Sequence, residues 1–243
     1  MKQIFILAVS AVIIFSSCRE VFAKRIRGNG NIVTKTRSVS SDFNSVHLSG
    51  GNIDVYAKQD STPGISVVAD ENLQEYIDID INGGVMHIHP REGYKLTSRE
   101  RLKVYVSSPA YREFESSGAG DIFSEGQIHS TEMLSFDLSG NTDIKMNVDA
   151  PKVTAELSGA GNINLQGQTK DFDVSVSGSA DIKCFDLRAE NVKVHISGAG
   201  DAEVFASVKL DAHVSGAGDI RYKGNPPQVI HNTSGAGSIQ KAD

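Results

Sequence analysis

The chain has 243 residues, 39% of them hydrophobic and 22% charged, with 24 basic and 30 acidic side chains and a formal net charge of −6. That length can hold a sizeable core, and the acidic balance excludes the basic surface on which nucleic-acid binding depends. With no tryptophan, 23 glycines, two cysteines and many Val, Ile, Ser and Asp residues, the composition describes a turn-rich β protein without an internal disulfide framework.

Residues 1–23 read as an export signal. Lys2 precedes an apolar run from Ile4 to Phe15 that is too short to span a bilayer as a helix. Two cleavage sites are open. Phe15-Ser16-Ser17-Cys18 is a loose lipobox that would make Cys18 the acylated first residue of an outer-membrane lipoprotein. Val21-Phe22-Ala23 is an ordinary small-residue site that would release a periplasmic or secreted chain starting at Lys24. The lipobox is preferred because the apolar run ends against Ser-Ser-Cys. Either cut removes a net single positive charge, and only Cys184 then remains beside Cys18.

An N-terminal β part spans about 28–112. It carries a first copy of a corner phrase, Ser49-Gly50-Gly51-Asn52-Ile53, which reads as one residue shorter than the later copies. Asp70 to Tyr76 reads as a capped helical turn. Ile77-Asp78-Ile79-Asp80-Ile81 and Val85-Met86-His87-Ile88-His89 alternate across Asn82-Gly83-Gly84, the pattern of a hairpin. Arg101 to Val106 is a further strand. This insertion is expected to cover one end of the C-terminal coils, because a stack of coils exposes unpaired strand edges.

The region 113–240 is a regular repeat. The phrase Ser-Gly-small-small-Asp/Asn-Ile, or a close variant, starts at Ser117, Ser139, Ser158, Ser177, Ser197, Ser215 and Ser234, at intervals of 22, 19, 19, 20, 18 and 19 residues. Such a period marks a repeat architecture. The residues one, three and five before each Ser are mostly apolar and those between them mostly polar, the alternation of a half-buried strand. After the corner it resumes, with Ile122, Ile144, Ile163, Ile182, Ala202, Ile220 and Ile239 five residues past the Ser. One coil buries nothing alone, but coils stacked in register turn each column into a continuous apolar stripe. The expected fold is all-β: a parallel β-helix or β-solenoid with coils of ~19 residues and a mixed N-terminal capping region. A meander of antiparallel hairpins is the rival, and it gives no reason for one corner per period.

These residues resemble a known family. Gly28-Asn29-Gly30-Asn31-Ile32 with Val39, Phe43, Val46 and Leu48, then Ser49-Gly50-Gly51-Asn52-Ile53-Asp54-Val55, Asp70-Glu71-Asn72-Leu73 and the later Ser-Gly-Ala-Gly-Asp/Asn-Ile phrases are similar to the head GIN domain, also called putative auto-transporter adhesin, of exported Bacteroidetes-type proteins. The resemblance covers nearly all the chain after the signal. It implies a β-helical fold and a role in adhesion, and it brings no catalytic residues.

The sharpest chemical feature is the column four residues past the Ser: Asp121, Asp143, Asn162, Asp181, Asp201, Asp219 and Ser238. Stacked carboxylates about 5 Å apart repel by roughly 1 kcal/mol in water, and a calcium ion would relieve that with oxygen ligands. Asp121, Asp143, Asp181, Asp201 and Asp219 are the metal candidates on this reading. The alternative, which is preferred, has each side chain capping its own turn; Asn162 and Ser238 can do that but would weaken an ion site. His87 with His89, and His195 with His213, are pairs that lack a third ligand. Cys184 falls in an apolar column and is expected to be an inert thiol. The outward acids Glu115, Asp137 and Glu156 would suit a polysaccharide-active enzyme, but no Arg/Lys cluster accompanies them in the repeats. A nucleophilic serine is usually unique, whereas these belong to a periodic corner. The expected function is a non-catalytic, exported cell-envelope protein, an adhesin or surface scaffold with a glycan or protein ligand and no required cofactor. Its alternatives are a calcium-stabilised roll and a polysaccharide-active β-helix.

Overall fold

The computed structural model describes residues 23–243; all of the expected export signal but Ala23, including the lipidation candidate Cys18, lies outside them. Nineteen strands run in order: β1 Lys24–Arg27, β2 Ile32–Arg37, β3 Ser45–Gly50, β4 Ile53–Gln59, β5 Gly64–Asp70, β6 Ile77–Asn82, β7 Val85–Pro90, β8 Tyr94–Thr97, β9 Leu102–Ser108, β10 Glu113–Gly118, β11 Ile122–His129, β12 Met133–Gly140, β13 Ile144–Gly159, β14 Asn162–Gly178, β15 Asp181–Gly198, β16 Ala202–Gly216, β17 Ile220–Lys223, β18 Gln228–Gly235 and β19 Ile239–Lys241. A 3₁₀ turn, Glu71–Tyr76, stands where the helical turn was expected. Among the described residues no helix is long and apolar enough to cross a membrane.

The repeats stack as parallel coils. Ile122 pairs with Ile144, Ile144 with Ile163, Ile163 with Ile182, Ile182 with Ala202, Ala202 with Ile220 and Ile220 with Ile239, all in parallel register. The hairpin meander is excluded by that direction. β13 to β16 each run from one corner round the return to the next corner, so one long, bent strand serves two sides of a coil. Their alternating burial obeys the period-two pattern, and one apolar cluster extends from Phe43 to Ile220.

The insertion does not lie between the first coil and the rest. β3 and β4 pair directly with β10 and β11, and on their other side with β7 and β9. β6 then lies antiparallel on β7, and β5 antiparallel on β9 with β2 beyond it. The N-terminal end is thus closed by antiparallel strands, which stop the parallel ladder.

The first corner departs from the expectation. It is one residue longer than the others, not shorter. Ser49 and Gly50 stand opposite Ser117 and Gly118, and Val55 stands opposite Ile122, so Asp54 takes the place of Asp121. Gly51 and Asn52 together fill the space of Ala119. Asn52 holds φ at +66°, the left-handed region open to asparagine.

The corner glycines are fixed by the coil beneath. At Gly178, φ is +142°, and an added Cβ would lie 2.3 Å from the carbonyl oxygen of Gly159. Two positions in the second glycine column carry side chains instead: Thr142 and Ala180, each 1% exposed.

Candidate functional site

The acidic corner column is a hydrogen-bonded ladder. Each carboxylate accepts from the backbone N–H one coil further on: Asp54 Oδ1 from Asp121 N (3.2 Å), Asp121 Oδ1 from Asp143 N (3.1 Å), Asp143 Oδ1 from Asn162 N (2.9 Å). A second run has Asp181 accepting from Asp201 N (3.3 Å), Asp201 from Asp219 N (2.8 Å) and Asp219 from Ser238 N (2.7 Å). The expectation of a cap within one turn is corrected: each of these carboxylates bonds to the N–H of the next coil and so joins two coils, a contact that only stacking creates. Among the described residues no three His, Cys, Asp or Glu side chains converge as metal ligands.

At the head of the ladder stands a group the periodic reading missed. Arg101 Nε lies 2.9 Å from both Asp54 oxygens, Nη2 also contacts Asp54, and Nη2 reaches Asp121 Oδ2 at 2.8 Å. Asp54 is buried, so its charge requires this partner. Burial pushes the Asp121 carboxyl above the usual carboxylate range, against the opposing pull of the Asp143 N–H and Arg101. Arg101 comes from the insertion, outside the repeat, so periodicity carried no sign of it.

The flat outer face of the strands preceding the corners carries two straight files. Ser49, Ser117, Ser139, Ser158, Ser177, Ser197, Ser215 and Ser234 stand in register, a row of eight hydroxyls. Two residues back runs His87, His47, Glu115, Asp137, Glu156, Ser175, His195, His213 and Asn232. Steps along a file are about 4.8 Å. Asp137, Glu156, Ser158, Ser175, Ser177, His195 and Ser197 line a shallow depression of about 340 Å³ on this face.

The histidines sort by these files. His87 does not act with His89; its ring packs edge-on against His47, centroids 5.1 Å apart, while His47 reaches Glu115 (3.1 Å) and Glu113 (3.3 Å). His89 faces Asp80 at 3.8 Å. His195 and His213 are neighbours with centroids 6.4 Å apart, and His213 bonds Asp211 at 2.7 Å.

After the corners, Tyr105, Tyr56 and Phe123 stack with centroids 4.9 and 5.0 Å apart. Both faces of the central Tyr56 ring are taken up by its two neighbours. Cys184 is fully buried, and that burial pushes its thiol up to about 12.

This geometry is shared with known proteins. Residues 42–226 match the family described as "Putative auto-transporter adhesin, head GIN domain". The chain belongs to the head GIN domain family. A structure from Bacteroides fragilis described as a "putative adhesin" superposes with a TM-score of 0.81 at 22% identity, over 89% of this chain and 100% of that one. One from Parabacteroides merdae gives 0.68 at 26% identity, over 91% and 100%. A structure from Parabacteroides distasonis described as a "putative lipid binding protein" gives 0.68 at 27% identity, over 90% and 100%. No curated protein matches the chain.

Proposed function

We propose that this head GIN domain protein is a non-catalytic, exported adhesin of the cell envelope, held at the membrane through Cys18, that engages an extended glycan or protein along the flat face bearing the serine and histidine–carboxylate files. The observation that carries this reading is the register: eight hydroxyls at one corner position, seven of them exposed, form a straight row on a rigid sheet. Repeated weak contacts along a line multiply in strength when the ligand repeats as well. The family description and the likeness to adhesin structures agree with it. The periodic serines favour recognition over catalysis, because a nucleophile is usually unique.

The test is an array of glycans and envelope proteins probed with the mature chain, with and without calcium. Retention that is lost when Ser158, Ser177 and Ser197 are replaced together by lysine supports the reading. A silent array, combined with release of reducing sugar from a polysaccharide, would replace it with the enzyme.

A further inference from the structure

We propose that β18 is a self-association edge, through which two copies of this chain meet tail to tail with their β18 strands antiparallel. Among the described residues β18 pairs with β16 alone and β19 with β17 alone. All eight residues of β18 are exposed, including Val229 and Ile230 at 39% and 42%. Val229, His231 and Thr233 continue the inward columns of Leu210, Ala212 and Val214, and among the described residues no coil pairs beyond them.

Natural sheets blunt an open edge with charge, proline, a bulge or a short strand. β18, Gln228–Gly235, has none of these: its sequence QVIHNTSG contains no Asp, Glu, Lys, Arg or Pro. Six of the seven strands leading to covered corners carry charge, β3 being the exception: Glu113 and Glu115, Asp137, Lys152 and Glu156, Asp171 and Asp173, Lys193, and Lys209 with Asp211. Among the corner strands β18 alone is both uncharged and open along one edge, since the uncharged β3 is paired on both sides.

That choice points to a second copy. A twofold contact sets the strand against its own reversed sequence, so every charge on it would enter the contact twice, and in a protein of net charge −6 an uncharged strand edge is where two copies can meet. Head-to-tail stacking would set β18 against the outermost strands of the other end, which carry the charges that blunt an edge: Asp78 and Asp80 in β6, Lys35 and Arg37 in β2. Two reversed edges give a closed dimer and no filament.

The dimer is a rod with an N-terminal cap at each far end. On the adhesin reading, which this extension rests on, each cap belongs to its own cell surface and the contact is homophilic.

Sedimentation of residues 24–243 across about 1–200 µM, a range spanning micromolar dissociation constants, tests the pairing. The variants are Asn232→Lys and Ile230→Lys, both exposed, with melting curves recorded in dilute solution to show that the fold is intact. The wild type should pass from monomer to dimer and stop, and each variant should raise the dissociation constant at least tenfold. A wild type that stays monomeric, assembly beyond the dimer, or variants that dimerise unchanged would overturn it. Beads carrying the chain by its N-terminus should clump and be dispersed by soluble chain. Dimers in solution without clumping would remove the homophilic contact and leave the pairing.

Discussion

The hydroxyls of Ser116 and Thr142 lie 2.8 Å apart in the interior, 0% and 1% exposed, between two neighbouring coils. Each departs from its column. Ser116 stands where the covered coils have Leu48, Leu138, Leu157, Val176, Ile196 and Val214, and Thr142 where most coils have glycine. The bulk added at one site is the bulk missing at the other, and the two polar groups satisfy each other.

The pair is therefore expected to be coupled. Ser116→Ala would strand the Thr142 hydroxyl and cost about 1–3 kcal/mol. Ser116→Leu would overpack against Thr142 by a similar amount. Adding Thr142→Gly to Ser116→Leu should restore most of that loss, a non-additivity of at least about 1 kcal/mol. Urea unfolding of the two single variants and the double one measures it, and simple additivity would show that the hydroxyls do not interact.

Gly178→Ala should be far more damaging than its size implies. The new Cβ would sit 2.3 Å from Gly159 O with φ at +142°. The neighbour is backbone and cannot step aside, so at least about 3 kcal/mol is expected. Gly83→Ala, in the open hairpin turn at φ +61° with nothing within 4 Å of the added atom, should cost about 1 kcal/mol. Thermal melts of the two variants side by side separate crowding from backbone strain.

These contrasts mark how far the sequence could be read. Parallel stacking, the inward columns and the β6–β7 hairpin arise from local periodicity, which is set by what one strand buries and so is written in one strand. The longer corner at Ser49 was hidden because Ile53 completes the phrase as well as Val55 does; only the partner coil shows that Asp54 faces Asp121. The Asp54–Arg101 clamp joins a repeat position to the insertion, and the ladder bonds run between coils. Single-strand patterning cannot contain either, because both depend on which coil lies on which.

The ladder makes an acceptor, not a charge, the required property of the corner side chain. Asp143→Asn keeps an oxygen for Asn162 N and relieves repulsion, so its stability should stay within about 0.5 kcal/mol of wild type. Asp143→Ala leaves that N–H without its partner and should cost about 1 kcal/mol. For the same reason EDTA should move the melting temperature by no more than about 1 °C, a stability change of only tenths of a kcal/mol. A drop of several degrees that calcium reverses would assign a cation to Asp121, Asp143, Asp181, Asp201 and Asp219.

A buried thiol and a buried phenol set an alkaline limit. Burial raises the Cys184 thiol to about 12 from an ordinary 9.0, and lifts the Tyr111 phenol above its ordinary 10.0. A group whose folded pKa exceeds its unfolded one binds its proton more tightly when folded, so its contribution to stability is complete below the unfolded pKa and fades as pH climbs through the folded one. Stability should accordingly be unaffected by Cys184 and Tyr111 up to about pH 8 and fall as pH rises from 9 toward 12. The same burial keeps the thiolate, the reactive form, scarce. Ellman's reagent at pH 8 should leave Cys184 untouched in the native protein and react fully once urea unfolds it, and rapid native labelling would mean that the coils around Cys184 open without global unfolding.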